Sequence, residues 1–385
     1  VSDNSDHFSR LRGLYVLDPE TFHLVYGPQE QEAIARHVEM IAPLQTRQSI
    51  QQNPSILQTA QVIFSGWTPP RFDDSFFEKA PAVEAIFYAA GNTSIAESAR
   101  RRGVQLTTAH EANSQPVAEY TLATVLFSLK HGWQLARQTR ERRTFVERNG
   151  APGCYGSTVG IISLGIIGRS LLKLLAPFDL KVLVYDPFLT EAQAAELGVE
   201  KVTLDEAFAR SDVVSLHTPL RAETTGLITG LHISSMKQGA SLINTARGAI
   251  VREDEMIRMA QQRPDLQFVL DVTDPIEPPR PDSLLYELPN IVLTPHIAGS
   301  AGGECRRLGR YMVDELERFV AGKPLKWGTS PERVQVMVNR PFLSGAPVAA
   351  TRPNGEANGD LQVSTFVQNA NAISQNHSLA STESD

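Results

Sequence analysis

Along the first hundred positions, short apolar, β-branched or aromatic runs recur between turn-forming residues: GLYVL (13–17), QVIFSG (61–66), EAIFYAAG (84–91) and VQLTTA (104–109). Runs of this length and make-up predict strands. Between them, QEQEAIARHVEMI and NTSIAESARRRG place apolar residues at helical spacing, the second opening on Asn92 or Thr93 as a cap and closing on Gly103. Strand–helix alternation of this kind predicts a parallel sheet covered on both faces. One long helical pattern then runs from about Pro116, a residue suited to a first helical turn, to Phe145.

A second series occupies roughly 158–296, with strands predicted at TVGIIS, KVLVYD, DVVSLH, ASLINT, QFVLDV and IVLTPH. Each is nearly continuous in apolar residues, the pattern of strands buried on both faces. A further helical stretch covers about Gly302 to Ala321. Residues 331–385, rich in Ser, Asn, Ala and Pro from Pro341 onward, lack periodicity and predict a polar, disordered tail.

A chain of 385 residues exceeds what one core usually serves, so two domains are expected. With 42% hydrophobic and 21% charged residues, a globular protein is expected, with no apolar run long enough to span a membrane and no secretory leader. Two cysteines, Cys154 and Cys305, give no disulfide framework and fit a reducing cytoplasm. A net charge of −7 offers nothing for nucleic acid, and the arginines at 137, 140, 142 and 143 read as a solvated helix face.

The chemistry starts at STVGIISLGIIGRS, residues 157–170, a strand leading through a glycine turn into a helix. In a dinucleotide-binding turn the first glycine permits the bend. The second lets the backbone approach the pyrophosphate, the third packs helix on strand, and the helix start offers N–H groups to the anion. Gly165 and Gly168 fill the second and third places, but Ser163 stands at the first, where its hydroxyl could bond a phosphate or the backbone. Asp186 ends the next strand, close to where the motif expects an acid about 20 residues on to accept the ribose hydroxyls. A carboxylate there repels a 2′-phosphate, which favours NAD over NADP.

TVGIISLGIIGRSLLKLLAPFDLKVLVYDPF, VVSLHTPL, LINTARGAIV, VLDVTDPIEPP and LTPHIAGS follow in that order. As a set they resemble the successive motifs of the D-isomer-specific 2-hydroxyacid dehydrogenase family, over about residues 60–325. The resemblance implies an α/β fold of two doubly wound parallel-sheet domains, a Rossmann NAD-binding domain inserted into a flavodoxin-like substrate domain. The boundaries expected are 1–117 for the first segment of the substrate domain, 118–297 for the NAD-binding domain and 298–330 for the returning helix. It also implies an NAD-dependent exchange of hydride between a 2-oxo acid and a D-2-hydroxy acid, with no metal.

The family's catalytic arginine matches Arg247, whose guanidinium fork suits a substrate carboxylate. Its histidine matches His296, an acid able to protonate the carbonyl oxygen as hydride arrives. Its glutamate matches Glu277 rather than Asp274, although DVTDPIEPP places Glu277 one residue later than the family does, as though Ile276 were inserted. The resemblance further assigns backbone N–H groups of Ile166 and Ile167 to the pyrophosphate and Thr218 to the adenine side. Thr245 and Ala246 would flank the nicotinamide ribose, and Asp271 would hold the carboxamide. The family often has arginine where Ile166 stands, which together with Ser163 implies weaker cofactor binding. For the substrate, Ala90 and Gly91 would offer N–H groups, and Trp67 either walls the pocket or belongs to the core.

Two rivals remain open on sequence. Formate dehydrogenases share the motifs but pair the histidine with glutamine, against Glu277. Dinucleotide-sensing corepressors on this fold grip peptides and can keep the triad. A phosphoglycerate dehydrogenase with a folded regulatory module is disfavoured by the polar tail. A homodimer is expected through the apolar LATVLFSL face, and the motifs leave the individual 2-oxo acid open.

Overall fold

A computed structural model describes residues 10–91, 96–148 and 150–329. The expected cap at Asn92 or Thr93 and the tail at 331–385 lie outside the described residues. The chain divides into two compact units, and among the described residues the first comprises 10–113 and 301–329 and the second 114–300. The second unit is thus an insertion in the chain of the first.

In the first unit, β1 (Leu11–Val16), β2 (Val38–Met40), β3 (Val62–Ser65), β4 (Ala85–Tyr88) and β5 (Gln105–Thr108) form one parallel sheet in the order β2-β1-β3-β4-β5. This is the flavodoxin-like order. Successive residues of one strand enter opposite cores. Tyr15, Phe64 and Phe87 pack with Leu308, Met312 and Leu316 of the helix Cys305–Val320, while Leu14, Ile63 and Ile86 pack with Phe72, Phe76 and Phe77. Burial on both sides explains why these strands read as unbroken apolar runs.

β2 corrects the sequence reading, which continued a helix through HVEMI. The helix Pro28–Ala35 ends earlier, and Val38–Met40 pairs with β1 at the sheet edge. Beyond the returning helix, the chain closes against the other edge. Gly328 bridges Thr107 in antiparallel sense, the Thr329 N–H donates to Leu106 O at 2.8 Å, and the Thr108 N–H donates to Trp327 O at 3.4 Å. Beneath this segment the fully buried carboxylate of Glu315 accepts from the N–H groups of Lys326 and Trp327, both at 2.9 Å, and from the Thr107 hydroxyl at 3.2 Å.

The second unit holds β6 (Thr158–Ile162), β7 (Lys181–Tyr185), β8 (Glu200–Lys201), β9 (Val213–Leu216), β10 (Ser241–Asn244), β11 (Gln267–Leu270) and β12 (Ile291–Leu293). They form a parallel sheet in the order β12-β11-β10-β9-β6-β7-β8. The winding reverses between β6 and β9, and ligands of such sheets bind beyond the carboxyl ends of the strands at that point. The long helical pattern expected from Pro116 is two helices, His110–Ser128 and Gly132–Arg142. The first begins before Pro116, which sits inside it and withholds one backbone donor. The break falls at His131, whose φ is 50°, and the second helix has no fully buried residue.

Candidate active site

Ser163 takes the left-handed conformation, with φ at 75°, so this position demands the geometry that glycine supplies freely. Serine meets the demand at a cost, and its hydroxyl lies 3.0 Å from the Thr218 hydroxyl rather than turned outward. Thr218 is buried and its Oγ1 also lies 3.4 Å from Ile162 O. Gly168 is needed for contact, since a Cβ there would sit 2.6 Å from Ser163 O, whereas a Cβ on Gly165 would meet open space. The helix Ile166–Leu175 starts on Gly165 with no side-chain cap and no acid in its first turn, which leaves its N-terminal amides and dipole available to an anion. Asp186 closes the turn: its two oxygens accept from the N–H groups of Leu164 and Phe188, each at 2.8 Å. The open space over Gly165 and the uncapped helix start fit a dinucleotide pyrophosphate laid across them.

On the other side of the reversal, β10 leads to Arg247. Asn244, which sequence reasoning missed, is buried and accepts from the Ala246 N–H at 3.0 Å while donating to Arg247 O at 3.0 Å. It thereby shapes the backbone that presents the guanidinium. Lost hydration lowers the Arg247 pKa and the charge of Glu277 raises it, so these two groups share one electrostatic environment. Thr245 faces Thr121 across 3.5 Å of hydroxyl contact.

Glu277 reaches His296 directly, with Oε1 2.6 Å from Nδ1, a charge-assisted distance if the imidazole is protonated. The loop absorbs its extra residue outward: Ile276 is exposed, and its carbonyl accepts from the Thr273 hydroxyl at 2.8 Å. Asp274 is held elsewhere, its N–H donating to Glu253 at 2.8 Å. His296 itself has φ at 55°, a conformation that costs a non-glycine residue energy and must be held by its surroundings. Asp271 holds it. One oxygen accepts from the Thr294 hydroxyl at 2.6 Å and the Ile297 N–H at 2.8 Å, and the other accepts from the Ala298 N–H at 2.9 Å. Burial raises the Asp271 pKa, and these donors oppose the shift. Tyr120 extends the network, its hydroxyl 2.9 Å from that of Thr294.

Behind the same strand ends lies His217. Its Nε2 is 3.0 Å from the Ser215 hydroxyl, and Nδ1 is buried with no hydrogen-bond partner among the described residues. Burial pushes its pKa down to about 4, so the ring is neutral near pH 7.

Trp67, Ala90 and Gly91 belong to the first unit. Trp67 is half-buried and packs against both cores of that unit. The Ala90 N–H is already spent on Tyr88 O at 2.8 Å, against the expectation that it is offered to a substrate, because the chain turns tightly at the end of β4. Gly91 is half-buried, near His110 and Asn113.

Residues 122–298 match the profile of the D-isomer specific 2-hydroxyacid dehydrogenase NAD binding domain. The chain is 32% identical to D-3-phosphoglycerate dehydrogenase of Archaeoglobus fulgidus over 229 residues, 60% of this chain and 43% of that protein. It is 30% identical to glyoxylate reductase of Korarchaeum cryptofilum over 257 residues, 65% of this chain and 77% of that one. It spans less than half the length of the phosphoglycerate dehydrogenases it matches, 43% and 48% for two of them. Among solved structures, D-lactate dehydrogenase of Aquifex aeolicus, complexed with NAD and lactic acid, superposes with a TM-score of 0.61 at 26% identity, covering 80% of this chain and 96% of that one. Among the described residues no helix is long and apolar enough to cross a membrane. The inserted unit is an NAD-binding Rossmann domain, and the chain belongs to the D-isomer-specific 2-hydroxyacid dehydrogenase family.

Proposed function

We propose that the protein is an NAD-dependent oxidoreductase that interconverts a small 2-oxo acid and a D-2-hydroxy acid. The observation that supports this best is the 2.6 Å contact between Glu277 and His296, in the same unit as Arg247 and the uncapped turn. Bound NADH supplies the hydride. Arg247 grips the substrate carboxylate with its fork and polarises the adjacent carbonyl. Glu277 fixes the Nδ1 side of His296, and Nε2 gives a proton to the carbonyl oxygen and takes it back in the reverse direction. Asp186 accepts the adenosine ribose hydroxyls, and the amides of Ile166 and Ile167 face the pyrophosphate. Ser163 contributes the bend of that turn, Thr218 borders the adenine, and Thr245, Ala246 and Asp271 line the nicotinamide end.

The first unit is the substrate domain in this reading, with Gly91 offering its N–H to the carboxylate and Trp67 limiting the side group. The protein acts in the cytoplasm as a homodimer; Val125 and Leu129 of the LATVLFSL face are covered by their own unit's core, so the contact is expected on the helices around residue 131 instead. Phe145 and Tyr155 are 95% and 89% exposed there, while Ser128 Oγ, Trp133 Nε1 and Arg137 Nε are shielded without a partner among the described residues. A second copy would cover the rings; a monomeric mass by light scattering at micromolar concentration would count against it.

The activity is tested by NADH oxidation with purified protein across glyoxylate, pyruvate, hydroxypyruvate and bulkier 2-oxo acids, with the product resolved by chirality. A D-product is expected, and His296→Ala should lower kcat by about 10²–10⁴-fold. No turnover with any acid, or an L-product, overturns the reading.

A further inference from the structure

The loop Asp271–Pro278 must deliver Glu277 to His296 while carrying an extra residue. It lies directly on the backbone that follows Arg247: a Cβ on Gly248 would fall 2.0 Å from Thr273 O and 2.6 Å from Asp274 N. The placement of this one peptide therefore bears on both Arg247 and Glu277. The same peptide is gripped from the side by the first residue of the helix Glu253–Gln262, where the Glu253 carboxylate accepts the Asp274 N–H at 2.8 Å.

Resting on the function proposed above, we infer that Glu253 is a positioning residue for the Glu277–His296 pair, holding the Asp274 amide so that the lengthened loop keeps Glu277 on the imidazole.

The neighbours of Glu253 separate this task from ordinary helix-end stabilisation. Three acids open the helix, and any of them would complement its dipole. Asp254 is exposed and pairs with Arg258 at 3.2 Å, and Glu255 accepts from the Gly230 N–H at 2.6 Å. Glu253 alone of the three is directed to the loop by these contacts. Its surroundings also set its charge. Burial, with the charges of Asp274 and Asp254, pushes its carboxyl up to about 7, against the bond from the Asp274 N–H. The other titratable groups on the segments named here are Arg247, Glu277 and His296, and Arg252, next to Glu253, pairs with Glu255 at 3.1 Å. Ionised Glu253 makes a charge-assisted bond to the loop, and the neutral acid makes a weaker one. The grip should therefore tighten as pH rises through neutrality.

Hydrogen exchange of the peptide spanning 271–278, measured on ligand-free full-length protein, tests the grip without reference to turnover. Glu253→Ala should speed exchange about tenfold, as for loss of a hydrogen bond to a charged group, and lower kcat severalfold with KM for NADH unchanged. Glu253→Gln keeps an acceptor for the Asp274 N–H, so it should recover most of both losses and abolish the tightening between pH 6 and 8. Asp254→Ala removes an acid from the same helix end and should leave the exchange as in the wild type. Wild-type exchange in Glu253→Ala, or equal acceleration in Asp254→Ala, overturns the inference even if turnover is normal. Absence of wild-type turnover overturns the proposed function and leaves the exchange comparison valid.

Discussion

His217 makes the Rossmann unit sensitive to mild acid, and the size of the effect follows from its burial. The ring is 8% exposed, with one nitrogen bonded to Ser215 and the other facing no partner among the described residues. Its pKa falls from 6.5 to about 4 on folding. The folded state therefore resists a proton that the unfolded chain binds. The stabilisation is whole above pH 6.5 and is lost as pH falls toward 4. A tenfold difference in proton affinity between the two states is worth about 1.4 kcal/mol, so the full loss is about 3 kcal/mol, of which about 2 kcal/mol is spent between pH 7 and pH 5. Glu253 works in the opposite sense. Its raised pKa gives stability that is full below pH 4.5 and lost as pH rises toward 7, so the wild-type profile alone mixes the two. The comparison with His217→Gln separates them, since Glu253 titrates in both proteins. Denaturant unfolding of each at pH 7 and pH 5 should show the wild type losing about 2 kcal/mol more than the variant. Equal losses would refute the argument, whatever the variant's stability at pH 7.

Asp186 should make NADH the better cofactor, and Asp186→Ala should narrow the gap to NADPH in kcat/KM; equal use of both by the wild type contradicts the assignment. At Ser163, Gly removes left-handed strain of about 1–2 kcal/mol, whereas Ala keeps it, and both lose the contact to the Thr218 hydroxyl. Ser163→Gly should therefore unfold later than Ser163→Ala by about 1 kcal/mol, and the reverse order would be fatal to this account of the turn. Glu315→Ala leaves two amides and a hydroxyl without their acceptor and should cost about 3 kcal/mol or more in denaturant unfolding, with Glu315→Gln intermediate; a loss under about 1 kcal/mol would mean the terminal segment holds by other means.

Much of the architecture was legible because buried parallel strands betray themselves as apolar runs, as TVGIIS and EAIFYAAG did. β2 was not, because three residues at a sheet edge carry too little pattern to outweigh the helical spacing before them. Pro116 misled in another way: it marks helix starts on average, but packing carries this helix past it. Ser163 looked like a weakened glycine position, and only its φ shows that the bend survives with serine in it. The motif pointed to Glu277, yet the groups that seat the loop and the His296 turn had no local signature. Tyr120 meets Thr294 across 174 residues of sequence and Glu253 meets Asp274 across 21, pairings that only the fold creates. Nothing in the sequence sets Glu253 apart from Asp254 and Glu255 beside it.

The strand-like cover on β5 has a consequence in time. Leu106 and its partner Thr329 are 223 residues apart, and the whole inserted domain is synthesised between them. At about 5–20 residues per second, β5 waits roughly 10–45 s on the ribosome with its edge unpaired. The helix Cys305–Val320, which supplies a quarter of the buried residues of one core, arrives in the same late interval. The Rossmann domain, continuous in sequence, can mature first. Of the two units the interrupted one is finished later, and an open parallel edge beside an incomplete core is where a nascent copy would pair with its neighbours on a polysome.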